Sequence, residues 1–97
     1  MSTSRCFRLS TGEDVVAELV SQSETHINIR FPLILAMRHT PKGPDLLIVP
    51  LIATNPEAEI KIDKKFVMYD YEPAEEIAAQ YRQMSTGLIT PSSLITG

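Results

Sequence analysis

Residues 24–32 read ETHINIRFP, and their side chains alternate strictly. Ile27, Ile29 and Phe31 fall on one side and His26, Asn28 and Arg30 on the other, the period of a half-buried strand. An imidazole has a flat face, and a side-chain amide carries both a donor and an acceptor. A histidine and an asparagine two residues apart on one face can therefore stack on a planar group and read its edge. The same pair also suits a strand face that simply meets water. On this stretch alone both readings stand.

Other chemistry is sparse. His26 and His39 lie far apart, with no cysteine or carboxylate at ligand spacing, so no metal site is expected. There is no glycine-rich phosphate loop and no nucleophile elbow. The carboxylates in AEEIAAQ (74–80) suit the positive start of a helix better than acid–base work. The single cysteine, Cys6, reads as a small core residue. KIDKK (61–65) reads either as a phosphate-contacting patch or as a solvated strand face. Tyr69 and Tyr71 share a face and either stack on bases or pack with wet hydroxyls. We therefore expect no catalytic residues, no metal, no cofactor and no enzymatic activity.

With 97 residues, of which 43% are apolar and 22% charged, the chain suits one globular domain with its own core. Its formal net charge of −3 argues against gripping nucleic acid mainly through phosphates. Any such binding must be local and directed at bases. No apolar run is long enough to span a membrane, and the first ten residues lack the apolar core of a secretory signal. One unpaired cysteine fits a reducing compartment, so a cytoplasmic location is expected.

The elements that must position these side chains are short strands. RCFRL (5–9) makes the first, and STGED turns the chain, with Gly12 supplying backbone freedom. Residues 14–21 make a valine-rich second strand. Residues 25–31 make the third, closed by Pro32. LILAMRH (33–39) and LLIVPLIA (46–53) are apolar on both faces, and TPKGPD forms the turn between them. Residues 59–72 return to alternation, with Ile60, Ile62, Phe66 and Met68 on one face. Lys64 would share that face, which predicts a bend or bulge near DKK. A helix follows from Pro73 to about residue 86, with Glu75 and Glu76 in its first turn. Ile77, Tyr81, Met84 and Leu88 form its apolar stripe, and Gly87 is the stop signal. Residues 1–87 thus read as a single β domain with a C-terminal helix, and 88–97 as a mobile tail.

The count is five or six strands and one helix, and one helix cannot cover two strands that are apolar on both faces. Pro50 lacks a ladder donor and belongs on an edge strand or at a bulge. An apolar edge with little charge invites pairing with another chain. A homo-oligomer joined edge to edge is expected.

The segment LSTGEDVVAELVSQSETHINI (9–29) resembles the first signature of the Sm and Sm-like (LSm, Hfq-type) proteins. Leu9, Gly12, Val15, Ala17 and Leu19 take its early positions, with Ala17 where the family prefers a glycine that lets its strand bend sharply. Glu24 stands for the usual aspartate, and Ile27–Asn28 for the apolar–Asn pair. The turn between Leu19 and Glu24 is one residue longer than usual. The second signature, an apolar residue followed by Arg-Gly or Lys-Gly late in the fold, is not found, and LIVPLIA (47–53) occupies the comparable place. With its helix at the C-terminal end, the chain is most similar to the small Sm-like proteins of bacteriophages, notably cyanophages.

The resemblance implies a mainly β fold: a small, strongly bent, five-stranded antiparallel sheet or barrel with a C-terminal helix. It implies a homo-oligomeric ring, pentamer to heptamer, that binds single-stranded RNA or DNA and acts in nucleic-acid processing. Asn28 would read a base and His26 would stack on it, with Arg30, Arg38 or Lys42 as the completing cation. If the chain is phage-encoded, it would work in the host cytoplasm. The alternative is a structural or adaptor protein whose ring is only a scaffold for protein partners.

Overall fold

Two glycine-free strand segments separated by a proline would ordinarily be two strands, yet residues 26–40 run as one. The computed structural model describes residues 4–86. In chain order these form β1 (Ser4–Leu9), β2 (Asp14–Gln22), β3 (His26–Thr40), β4 (Gly43–Pro50) and β5 (Glu59–Asp63). A 3₁₀ turn (Lys64–Phe66), β6 (Val67–Tyr71) and α1 (Glu75–Ser85) complete them. The chain is mainly β with a helix near the C-terminal end, as expected. All pairings are antiparallel, in the order β4-β3-β2-β1-β6, and β5 pairs the other half of β3. The sheet curls strongly rather than closing.

Six strands appear in place of five because two separate strands share one flank of β3. His26–Arg30 pairs β5, and Leu33–Thr40 pairs β4. The switch occurs at Phe31–Pro32. Pro32 does not end the strand: it has no N–H to give the ladder, and the chain bends there instead. Phe31 takes φ of 53°, a left-handed conformation unusual for a bulky residue. On β2 the register steps from Val16↔Leu33 to Glu18↔Arg30, so Ala17 alone faces Phe31 and Pro32. This bulge bends β3 sharply opposite position 17.

The bend also inverts the alternation. Ile27 and Ile29 pack with Phe7, Leu9, Val15 and Ala17 in an inner cluster that the sheet curls around. Phe31 and Leu33 pack instead with Cys6, Val16 and Tyr81 in an outer cluster beneath α1. The expectation that Phe31 shares a face with Ile27 and Ile29 is therefore corrected, the extra residue at the bulge having flipped the phase.

A second phase change follows β5. Ile60 and Ile62 pack against the inner cluster as expected, and the predicted bend near DKK is the 3₁₀ turn, capped by the Asp63 carboxylate accepting the Lys65 N–H at 3.0 Å. That turn shifts the count by one. Val67 enters the core, while Phe66 and Met68, expected on the core face, are 49% and 64% exposed. A bulge at Met68, between Arg8↔Tyr69 and Leu9↔Val67, then places Tyr69 and Tyr71 on the outer face.

Gly12 takes φ of 97° in the β1–β2 turn, where a side chain would be strained. β4 starts earlier and stops earlier than residues 46–53, ending at Pro50 on an edge. In α1, Glu75 and Glu76 occupy the first turn, and Ile77, Tyr81 and Met84 face the outer cluster. Gly87, Leu88 and the expected tail lie outside the described residues. Among the described residues, no helix is long and apolar enough to cross a membrane.

Candidate nucleic-acid interface

His26 opens β3, where the two-sided pairing of the strand begins. Its Nδ1 lies 2.8 Å from the Thr25 hydroxyl, and its Nε2 stands 4.0 Å from the Asp63 carboxylate. The Ser23 hydroxyl accepts the His26 N–H at 3.1 Å, and the Ser23 N–H donates to the His26 carbonyl at 2.8 Å. The turn before the strand thus fixes the backbone that carries the ring. The imidazole remains well exposed, with about 39% of its side chain open to solvent.

Asn28 follows on the same outer face. Its amide donates to the Ser21 hydroxyl across the β2–β3 ladder at 2.7 Å. That bond orients the amide and leaves its carbonyl oxygen available as an acceptor. Directly opposite Asn28 on β5 stands Lys61, exposed and on the same face. Facing pairs in an antiparallel sheet bring their Cβ atoms to about 4.5–5.5 Å. His26, Asn28 and Lys61 therefore form one patch. The turn that follows β5 is tied back to this strand end through its main chain, the Lys64 N–H donating to the Thr25 carbonyl at 2.8 Å, and in it Lys65 stands over the Phe66 ring at 5.3 Å from its centroid.

The other expected cations lie elsewhere or are engaged. Arg30 is next in the row, but its guanidinium is committed to the Glu18 carboxylate, with Nε donating at 2.8 Å. Arg38 pairs with Asp45 at 2.5 Å in the β3–β4 arm. Lys42 sits in the turn at the tip of that arm. The bend separates both from His26 and Asn28, so Arg38 and Lys42 do not join the patch, and Lys61 stands where a cation was sought. The turn between β5 and β6, capped by Asp63, carries Lys64 and Lys65.

One signal could have placed Lys61 beside Asn28. EIKID (59–63) and HINIR (26–30) carry the same polar–Ile–polar–Ile pattern. Pairing isoleucine with isoleucine puts lysine across from asparagine, but only once the two segments are known to be neighbours.

The bend beside this patch is held from the outer side. Tyr81, only 4% exposed, places its hydroxyl where the β2–β3 ladder is interrupted. The Glu18 N–H donates to it at 2.9 Å, and it donates to the Arg30 carbonyl at 2.8 Å. Burial pushes the phenol up to about 12, an effect that the Glu18 N–H partly offsets. Burial also pushes the Cys6 thiol up, which disfavours the thiolate and suits the packing role expected for it.

Tyr69 and Tyr71 stand with ring centroids 6.0 Å apart, on the face of β6 that bears Arg8 and Cys6 on β1. Burial and the neighbouring Cys6 push the Tyr71 phenol up to about 12. Among the described residues, no group of three or more His, Cys, Asp or Glu side chains gathers as metal ligands do. Compared with known proteins, the chain matches no family model and no curated protein.

Proposed function

We propose that this chain is a non-enzymatic, Sm-like protein that binds single-stranded RNA or DNA through His26, Asn28 and the neighbouring Lys61. The observation that carries the reading is Lys61 directly opposite Asn28 in the β3–β5 ladder. A flat ring, an oriented amide and a cation on one face supply stacking, edge readout and phosphate attraction together. Stacking is worth roughly 1–3 kcal/mol per base, so a single patch binds weakly and repetition is needed for useful affinity. Stacking and edge readout beside a single lysine need no broadly basic surface, which is compatible with a net charge of −3.

The edges support repetition. Among the described residues, β4 and β6 close the ends of the sheet order and have an unpaired side. On the outer face, β4 exposes Leu46 beside Met37 of β3, and β6 exposes Tyr69 and Tyr71. Joining β4 of one copy to β6 of the next continues the ladder and covers these apolar side chains. Such a head-to-tail contact closes into a ring when the rotation permits, and five to seven copies is the expected range.

Fluorescence anisotropy with U-rich and A-rich oligonucleotides tests the proposal. The His26→Ala, Asn28→Ala double variant should lose most binding. Unchanged affinity would reject the site, and no binding by the parent protein at low salt would leave the scaffold reading in possession.

A further inference from the structure

The curled sheet leaves a cleft on its inner face, opposite to His26 and Asn28, with a volume of about 470 Å³. That size falls within the roughly 300–1,000 Å³ of small-molecule sites. Phe7, Leu19, Ile27 and Val67 give it apolar walls. Its rim is polar. Gln22 carries an amide, and Arg5 and Asp70, paired at 2.6 Å, offer donors and an acceptor. Lys64 lines the same cleft, half-buried, with no carboxylate in salt-bridge range among the described residues.

We propose that this cleft binds one nucleotide, with its base against the apolar walls and its phosphate on Lys64. A partly desolvated cation without a counter-ion favours an anionic group. The apolar walls suit the face of a base, and Gln22 with the Arg5–Asp70 pair suits an edge that both donates and accepts. A simple alkyl anion would make no use of those rim groups. The inference goes beyond the outer-face site and does not rest on it, because the two sets of residues lie on opposite faces of the sheet.

Two sources can supply this chemistry, a free mononucleotide or one nucleotide of a bound strand. Amide ¹H–¹⁵N spectra of the full chain, titrated with AMP, CMP, GMP and UMP and separately with a short U-rich oligonucleotide, distinguish them. Saturable shifts at Leu19, Gln22, Lys64 and Met68 are expected. Lys64→Gln and Gln22→Ala should each weaken binding, the former roughly tenfold, while Arg38→Gln in the distant arm leaves it unchanged. Shifts with mononucleotides support a free-nucleotide site; the same shifts with the oligonucleotide alone assign the cleft to a nucleotide within a strand. The proposal is overturned if neither ligand moves the cleft amides, or if shifts are confined to Asn28 and Lys61. Equal shifts with inorganic phosphate or with decanoate also overturn it.

Discussion

Tyr81→Phe removes one oxygen atom and should cost far more than a typical surface change. The hydroxyl satisfies two main-chain groups at once, the Glu18 N–H and the Arg30 carbonyl, at the point where the β2–β3 ladder is broken. Tyr81 is 4% exposed, so water has little access to replace it. Leaving a buried donor or acceptor without a partner costs about 1–3 kcal/mol, and two such groups give about 2–6 kcal/mol. A domain of this size has a total stability of roughly 5–15 kcal/mol. Phenylalanine keeps the edge-on contact with Phe31, whose ring centroid lies 6.1 Å away, so packing is held constant and the hydroxyl alone is tested. Urea unfolding should show a lower midpoint with unchanged slope. The melting temperature should fall by at least about 8 °C, given roughly 4–8 °C per kcal/mol for domains of 60–100 residues. A loss below about 1 kcal/mol would refute the reasoning, because the bend would then need no hydroxyl to satisfy its backbone.

The same phenol makes stability sensitive to alkali. Its value is about 12 in the fold against about 10 unfolded, so the neutral form is favoured by folding. Its contribution is complete below pH 10 and is lost as pH rises from about 10 to 12, by at most about 2–3 kcal/mol. Tyr71 shifts in the same direction, so the difference between the parent protein and Tyr81→Phe in chemical unfolding at rising pH isolates this group. Leu46→Lys and Tyr69→Lys lie on opposite sheet edges and are 38% and 51% exposed, so each should change monomer stability by no more than about 0.5 kcal/mol. Light scattering should nevertheless show smaller particles for both, and unchanged mass would count against edge-to-edge assembly. Phosphate contact by Lys61 predicts that Lys61→Ala lowers the slope of log affinity against log salt by about 0.7 on a single strand; an unaltered slope would remove Lys61 from the interface.

Much of the fold could be read from alternation and turn residues. The Gly12 turn, the bend near Asp63–Lys65 and the stripe of Ile77, Tyr81 and Met84 all follow from local chemistry. What escaped were the two phase changes. A bulge adds one residue to one strand only, and whether Phe31–Pro32 ends a strand or bends it depends on Ala17 across the ladder. Likewise, whether Met68 or Val67 faces the core depends on the partner Leu9. Such non-local pairings leave no mark in a single segment. For the candidate site, His26 and Asn28 could be grouped because they share one strand, whereas KIDKK stood apart as a possible phosphate-contacting patch and the place of Lys61 beside them was not legible. Its place opposite Asn28 comes from β5 returning to the flank of β3 after the β4 arm.

The account stands or falls on whether Asn28 and Lys61 engage one ligand together. Anisotropy of a labelled U-rich oligonucleotide, measured with the parent protein, Asn28→Ala, Lys61→Ala and the double variant at low salt, tests this directly. Both single variants should weaken binding, and the double variant should depart from additivity by at least about 0.5 kcal/mol, as expected for side chains that share a partner. Strictly additive losses, or parent-level binding in all four proteins, would contradict the proposed interface.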